Sequence, residues 1–143
     1  MTTVAQVLEH KDAAVYTIAP NASVRSAIKL MAEKNIGALI VTNDKKQVVG
    51  IISERDYTHK VVLKDRSSLT TNVDQIMTSN VITVTRSMTI DECLKMMTDG
   101  HLRHLPVVEN EQLLGMVAIG DLVKAAMEDQ RVLIEQLQQY ISG

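Results

Sequence analysis

The feature that most constrains this chain is that it contains itself twice. Thr17 to Tyr57 can be laid on Thr83 to Leu122 once one residue is deleted from the second copy near Lys46. The pairing gives the identities Thr17/Thr83, Lys29/Lys95, Met31/Met97, Leu39/Leu105, Val41/Val107, Gln47/Gln112, Gly50/Gly115 and Asp56/Asp121. The apolar pattern is the stronger support, because Val24/Ile90, Ile28/Leu94, Ile36/Leu102, Val48/Leu113, Val49/Leu114, Ile51/Met116 and Ile52/Val117 all keep their character. A repeat of this length is one supersecondary unit whose apolar sheet face cannot be covered alone, so two copies are expected to bury that face together.

Each copy reads the same way. Ser23 to Glu33 places Val24, Ala27, Ile28 and Met31 on one helical face behind a plausible N-cap at Ser23, and Thr89 to Asp99 is its counterpart, closed by Gly100. Two apolar runs follow in each copy, Ala38 to Val41 with Val48 to Ile52, and Leu105 to Val108 with Leu113 to Val117. Each pair flanks a polar turn and suggests a hairpin. A second helix begins near Arg55 or Gly120. The expected fold class is therefore α/β (α+β), two repeats of strand, helix, strand, strand, helix. A lead-in precedes each copy, Val4 to Leu8 and Val73 to Met77, expected as a short helix feeding the first strand. The organisation expected is repeat one over 8–64, linker and lead-in over 65–76, repeat two over 77–128 and a helical extension over 129–143, with the polar stretch Lys64 to Asn72 as the linker between halves.

Composition narrows the function. At 143 residues the chain can bury a core without staples. The only aromatic residues are Tyr16, Tyr57 and Tyr140, so a flat ligand would lie between aliphatic side chains. A formal charge of −2 with no long basic run argues against a nucleic-acid partner. Cys93 is alone and aligns with Ala27 on a helix face, which excludes an internal disulfide framework and points to the core. No stretch approaches the roughly 20 apolar residues of a membrane span, so a cytoplasmic protein without membrane contact is expected. His101 and His104 form an H-x-x-H that nothing completes into a metal shell, and no P-loop, dinucleotide fingerprint or flanked nucleophile occurs. Neither a metal nor catalysis is expected.

The chemistry concentrates in Gly50-Ile-Ile-Ser-Glu-Arg-Asp56 and Gly115-Met-Val-Ala-Ile-Gly-Asp121, each ending a strand and opening a helix. A carboxylate there can accept from both hydroxyls of a ribose, and the free amides of a helix N-terminus favour a phosphate. Ser53-x-x-Asp56 is equally the pattern of a capping box, stabilising without any ligand. The second copy weighs toward a ligand, since Ala118 cannot cap and Asp121 is nonetheless present.

With Asn35 to Val41 and Leu105-Pro-Val-Val108, these motifs resemble those of cystathionine-beta-synthase (CBS) domains, over nearly the whole chain except its C-terminal tail. The resemblance implies a tandem pair packed through its sheets, with two clefts for AMP, ADP, ATP, NAD(H) or S-adenosylmethionine. It implies that Asp56 and Asp121 hold ribose hydroxyls, with Ser53 assisting. Arg103 and His104 take the position from which basic side chains reach phosphate across the pair, where the first copy has only Gly37 and Ala38. Arg55 is a further phosphate candidate, and Thr17, Ile18, Thr83, Leu105, Pro106, Ile119 and Gly120 complete the implied lining. Arg55, Arg103 and His104 also fit solvated surface residues. The family implies a regulatory module acting in trans on an unknown protein target. A homodimer is expected too, helped by the apolar rhythm from Asp121 to Ile141. The cleft built on Asp56 is expected to bind more tightly, because Ala118 and Gly120 replace Ser53 and Arg55 in the other, and because Arg103 and His104 are expected to approach the first from the other repeat where the second meets only Gly37 and Ala38. A dimerisation scaffold with vestigial clefts is the alternative.

Overall fold

The computed structural model describes residues 1–11 and 15–142, which form two compact units. The first-repeat unit comprises Val15–Ile82 with Glu111–Leu113, and the second-repeat unit comprises Met1–Ala14, Thr83–Asn110 and Leu114–Gly143.

In the first-repeat unit a three-stranded sheet runs in the order β1 (Thr17–Ile18), β2 (Ala38–Thr42), β3 (Val48–Ser53). β1 pairs parallel to β2, and β2 pairs antiparallel to β3 with Ala38 opposite Ser53 and Ile40 opposite Ile51. Helix α2 (Val24–Lys34) crosses between the parallel strands, as a parallel connection requires. It starts where the Ser23 hydroxyl accepts the Ser26 N–H, and it ends where Asn35 turns left-handed at φ 53°. Val24, Ala27 and Met31 are buried with Leu39, Val41 and Ile52, and full burial of such aliphatic side chains contributes about 1.5–3 kcal/mol each. After β3 the chain enters α3 (Glu54–Tyr57), which passes into a π-helical turn, Thr58–Val62.

The second-repeat unit repeats this plan with differences. Helix α4 (Ile90–Gly100) is capped by Thr89, whose hydroxyl accepts the Glu92 N–H. Its left-handed terminating residue is His101 at φ 53°, not the expected Gly100, which is the last helical residue. The exit is thus the counterpart of Asn35, made in both copies by a residue with a side chain. Strands β4 (His104–Glu109) and β5 (Gln112–Ala118) form a two-stranded sheet joined through Asn110 and Glu111, both at positive φ as a tight hairpin turn demands. The expected first strand of this copy is reduced to one parallel bridge, Val84 with Val107. Buried Cys93 takes the place of Ala27 in this core. Helix α5 (Ile119–Ser142) is 24 residues long, and every residue from Arg131 to Ser142 is exposed. Among the described residues no helix is long and apolar enough to cross a membrane.

The lead-ins depart from the expectation that each feeds its own repeat. Helix α1 (Val4–His10) belongs to the second-repeat unit: Val4 N–H donates to Met88 O at 2.8 Å, Ile90 N–H donates to Thr2 O at 3.1 Å, and Val4 and Val7 lie in that core. The other lead-in, a 3-10 turn at Val73–Gln75, belongs to the first-repeat unit through Val73 N–H to Ala22 O and Val24 N–H to Thr71 O, both 2.8 Å. Both lead-ins open on a glutamine that reaches back to the N-cap amide, Gln6 to Thr3 at 2.9 Å and Gln75 to Asn72 at 2.7 Å, and the Thr3 hydroxyl reciprocates. Gly50 and Gly115 explain the docking. A Cβ on Gly50 would collide with Met77 Sδ, and one on Gly115 would come within 2.9 Å of Leu8 Cδ2, so each glycine receives the equivalent side chain of a lead-in.

Candidate functional site

The two strand-to-helix motifs occupy equivalent places in their units. In the first-repeat unit Glu54 N–H donates to Gly37 O at 3.0 Å, and in the second Ile119 N–H donates to Arg103 O at the same distance. This bond draws the start of the motif helix to the entry of the central strand. Gly37, Ala38, Ser53, Arg55 and Asp56 are thereby gathered at one end of the first sheet, whereas Thr17 and Ile18 on β1 pair with Ile40 and Val41 farther along β2. In the other unit Val84 N–H bonds Pro106 O at 3.0 Å, gathering Thr83, Arg103, His104, Leu105, Pro106, Ile119, Gly120 and Asp121 in the same manner. Arg55, Arg103, Thr17, Thr83, Ile119 and Gly120 are exposed, whereas Ala38, Leu105 and Pro106 are buried. Neither Gly37 nor Gly120 is required by space: a Cβ on Gly37 would meet Glu54 Oε1 at an ordinary 3.6 Å, and one on Gly120 would meet nothing within 4 Å.

The carboxylates carry the electrostatics. Asp56 Oδ2 accepts the Ser53 N–H at 3.0 Å and the Ser53 hydroxyl at 3.2 Å, while Ser53 Oγ accepts the Asp56 N–H, which completes a capping box. Asp56 Oδ1 accepts Lys60 Nζ at 3.0 Å. In the second copy Asp121 Oδ2 accepts the Ala118 N–H at 2.8 Å and Lys11 Nζ at 2.8 Å. Half of the capping box therefore forms without any hydroxyl. Asp121 has a local role of its own, so its presence beside Ala118 does not by itself call for a ligand. Both side chains remain partly open, Asp56 at 13% and Asp121 at 29% of full exposure. The bonds at Asp121 all fall on Oδ2, which leaves Oδ1 as an acceptor without a partner among the described residues.

His104 is half-buried at the start of β4. Burial holds its imidazole below the usual histidine range, with the positive charges of Lys11 and Arg103 acting in the same direction and Asp121 opposing them. It is thus neutral at pH 7, able to offer a hydrogen bond but not a charge. Sequence reasoning did not single out Lys60 or Lys11. Lys60 was within reach of it, being four residues beyond Asp56 on a helix. Lys11 was not, because 110 residues separate it from Asp121. Among the described residues no cluster of His, Cys, Asp and Glu could hold a metal ion.

The family model for the CBS domain matches residues 4–62 and again 73–128. The chain is a CBS domain pair. Such a pair is a regulatory module, and its α/β architecture is that of the solved CBS pairs. The mitochondrial CBS domain-containing protein CBSX3 of Arabidopsis thaliana is 37% identical over 150 residues, covering 99% of this chain and 73% of its own length. A structure from Burkholderia ambifaria MC40-6, named as a signal-transduction protein with CBS domains, is 50% identical with a TM-score of 0.86, covering 90% of this chain and 96% of that one. The CBS domain pair of protein MJ0100, in complex with 5'-methylthioadenosine and S-adenosyl-L-methionine, shares the fold at 24% identity and a TM-score of 0.80, covering 90% of this chain and 98% of that one. Both matched CBS segments begin at a lead-in, Val4 and Val73, and each of these lead-ins packs in the unit of the other repeat.

Proposed function

We propose that this CBS pair is a sensor of an adenosine-containing nucleotide, AMP, ADP, ATP or NAD(H), held through the ribose by Asp56 and Asp121, and that it signals in trans to a protein target without catalysing a reaction. The observation that carries the reading is a pair of partly exposed carboxylates at equivalent helix starts, each oriented by a backbone N–H and a lysine, with Oδ1 free at Asp121 and shared with Lys60 at Asp56. Vicinal hydroxyls are the natural donors to such a group. S-adenosylmethionine is the second ligand reading, favoured by the MJ0100 complex of the same fold. A homodimer is part of the proposal, supported by the exposed apolar residues Leu133, Ile134, Leu137 and Ile141 of α5. Cytoplasmic action is also part of it, with the mitochondrial relative as the alternative that cell fractionation decides.

Two effects oppose each other in ranking the motifs. Asp121 has the freer oxygen, an advantage of one extra hydrogen bond to a carboxylate, roughly 1.5–3 kcal/mol. The Asp56 motif adds Ser53 and the exposed guanidinium of Arg55, and a charged bond to phosphate is worth roughly 1.5–3 kcal/mol. The hydroxyl and the guanidinium together outweigh the one freer acceptor, so the Asp56 motif is the tighter one for a phosphate-bearing ligand. Calorimetry with AMP tests this: Asp56→Ala should remove most of the measurable binding and Asp121→Ala little of it. The ranking is overturned by the reverse order, and the nucleotide reading by the absence of binding of every adenosine ligand to the unaltered protein. Light scattering that finds a monomer at micromolar concentration removes the dimer.

A further inference from the structure

Two lysines outside the motifs make the same double connection by opposite routes. In the first-repeat unit Lys60 Nζ reaches Asp56 Oδ1 at 3.0 Å and the Ile76 carbonyl at 2.8 Å, and Ile76 closes the lead-in turn Val73–Gln75. In the second-repeat unit Lys11, the C-cap of lead-in helix α1, reaches Asp121 Oδ2 at 2.8 Å and the Met116 carbonyl on β5 at 2.7 Å. One lysine lies on the motif helix and reaches the lead-in, whereas the other lies at the end of the lead-in and reaches the motif. In the repeat alignment Lys60 falls opposite Ala125, and in the lead-in alignment Lys11 falls opposite Asn80. The two lysines are therefore not copies of one ancestral position. A link that recurs in both units from unrelated positions reflects a shared requirement of the two sites. The π-helical turn Thr58–Val62 carries Lys60, and such turns interrupt the regular helical ladder at a cost, frequently at functional positions.

We propose that Lys60 and Lys11 are positioning residues that couple the state of each motif carboxylate to the docking of the lead-in packed beside it. This extends the nucleotide reading, because hydroxyls that clamp the carboxylate also fix the lysine and, through it, the lead-in. Each lead-in is the last element before the chain passes to the other unit, so the coupling would carry occupancy out of the site.

Amide hydrogen exchange on the full chain tests the bridge without any ligand. Lys60→Met and Asp56→Asn should each speed exchange over residues 73–78 by roughly two- to fivefold, the range of a partly exposed ion pair, and leave residues 4–10 unchanged. Lys11→Met and Asp121→Asn should do the reverse. Ser53→Ala should loosen α3 and leave 73–78 alone, which separates the bridge from the cap, and Lys60→Arg should restore protection. Unchanged exchange over 73–78 in both Lys60→Met and Asp56→Asn overturns the proposal, whether or not nucleotide binds. With AMP added to the unaltered protein, exchange in the lead-ins should slow; AMP that binds without slowing them also overturns it. If AMP and every other adenosine ligand fail to bind, the nucleotide reading falls and the ligand-free variants still decide the bridge.

Discussion

In the first-repeat unit the motif carboxylate is held from its own helix, by Ser53 three residues before it and Lys60 four residues after it. In the second-repeat unit the hydroxyl is missing, the long helix α5 carries no lysine at the matching position, and the N-terminal helix supplies Lys11 instead. The carboxylates end in similar places with different dependences. The first is robust to anything that leaves α3 and its π-turn intact, whereas the second depends on α1 being docked. Repeats of one ancestral unit can thus preserve a geometry while exchanging the residues that maintain it, and equivalence has to be tested pair by pair.

The largest test concerns the cores. Leu39 and Leu105 are aligned and fully buried, each the second residue of its strand, so Leu39→Ala and Leu105→Ala should each cost about 2–5 kcal/mol in denaturant unfolding. Losses within about 1 kcal/mol of one another sustain the equivalence of the cores, and a wider gap breaks it. The glycines come next. Gly50→Ala meets Met77 and, at 3.1 Å, the backbone carbonyl of Thr78, which cannot swing away, so about 1–3 kcal/mol should be lost. Gly115→Ala meets only the tip of Leu8 and should cost less than about 1 kcal/mol; a cost equal to that of Gly50→Ala would mean that the two lead-ins dock with equal rigidity.

Capping sharpens the comparison further. Ser53→Ala removes a hydroxyl that accepts the Asp56 N–H, worth about 1 kcal/mol, and makes the first motif resemble the second. Ala118→Ser makes the opposite change and should stabilise by up to a similar amount in thermal unfolding. A destabilising Ala118→Ser would show that the second motif has no room for the cap.

The smallest effect is a difference in acid response. His104 has a depressed pKa, whereas the aligned residue in the first copy, Ala38, does not titrate. Below the ordinary histidine value near 6.5 the unfolded chain binds the proton more readily than the folded one. The stability associated with neutral His104 is therefore fully present above that value and is lost as pH falls through it toward the lower folded value. Replacing His104 with Gln should flatten stability against pH between about 7 and 5. An unchanged profile would place the acid response elsewhere. Local exchange should show the loss in β4 and the start of α5, with β2 and α3 unaffected.

Much of this molecule could be read from its residues one stretch at a time. Local periodicity and caps determined α2, α4, both hairpins and the opening of α5, because these depend on neighbours within a few residues of Ser23, Thr89, Asn110 or Asp121. The capping pattern at Ser53 and Asp56 was legible for the same reason, as was burial of Cys93 on the face it shares with Ala27. The tertiary structure decided what depends on distant partners: which unit each lead-in joins, the reduction of the second copy's first strand to one bridge at Val84, and the capture of Asp121 by Lys11. Periodicity reports only which face of an element is apolar, and a lead-in with Val4 and Val7 buried suits either core equally well. The choice was made by backbone bonds to Met88 and Thr89's neighbour Ile90, and by the space over Gly115, all of them more than eighty residues away in the chain.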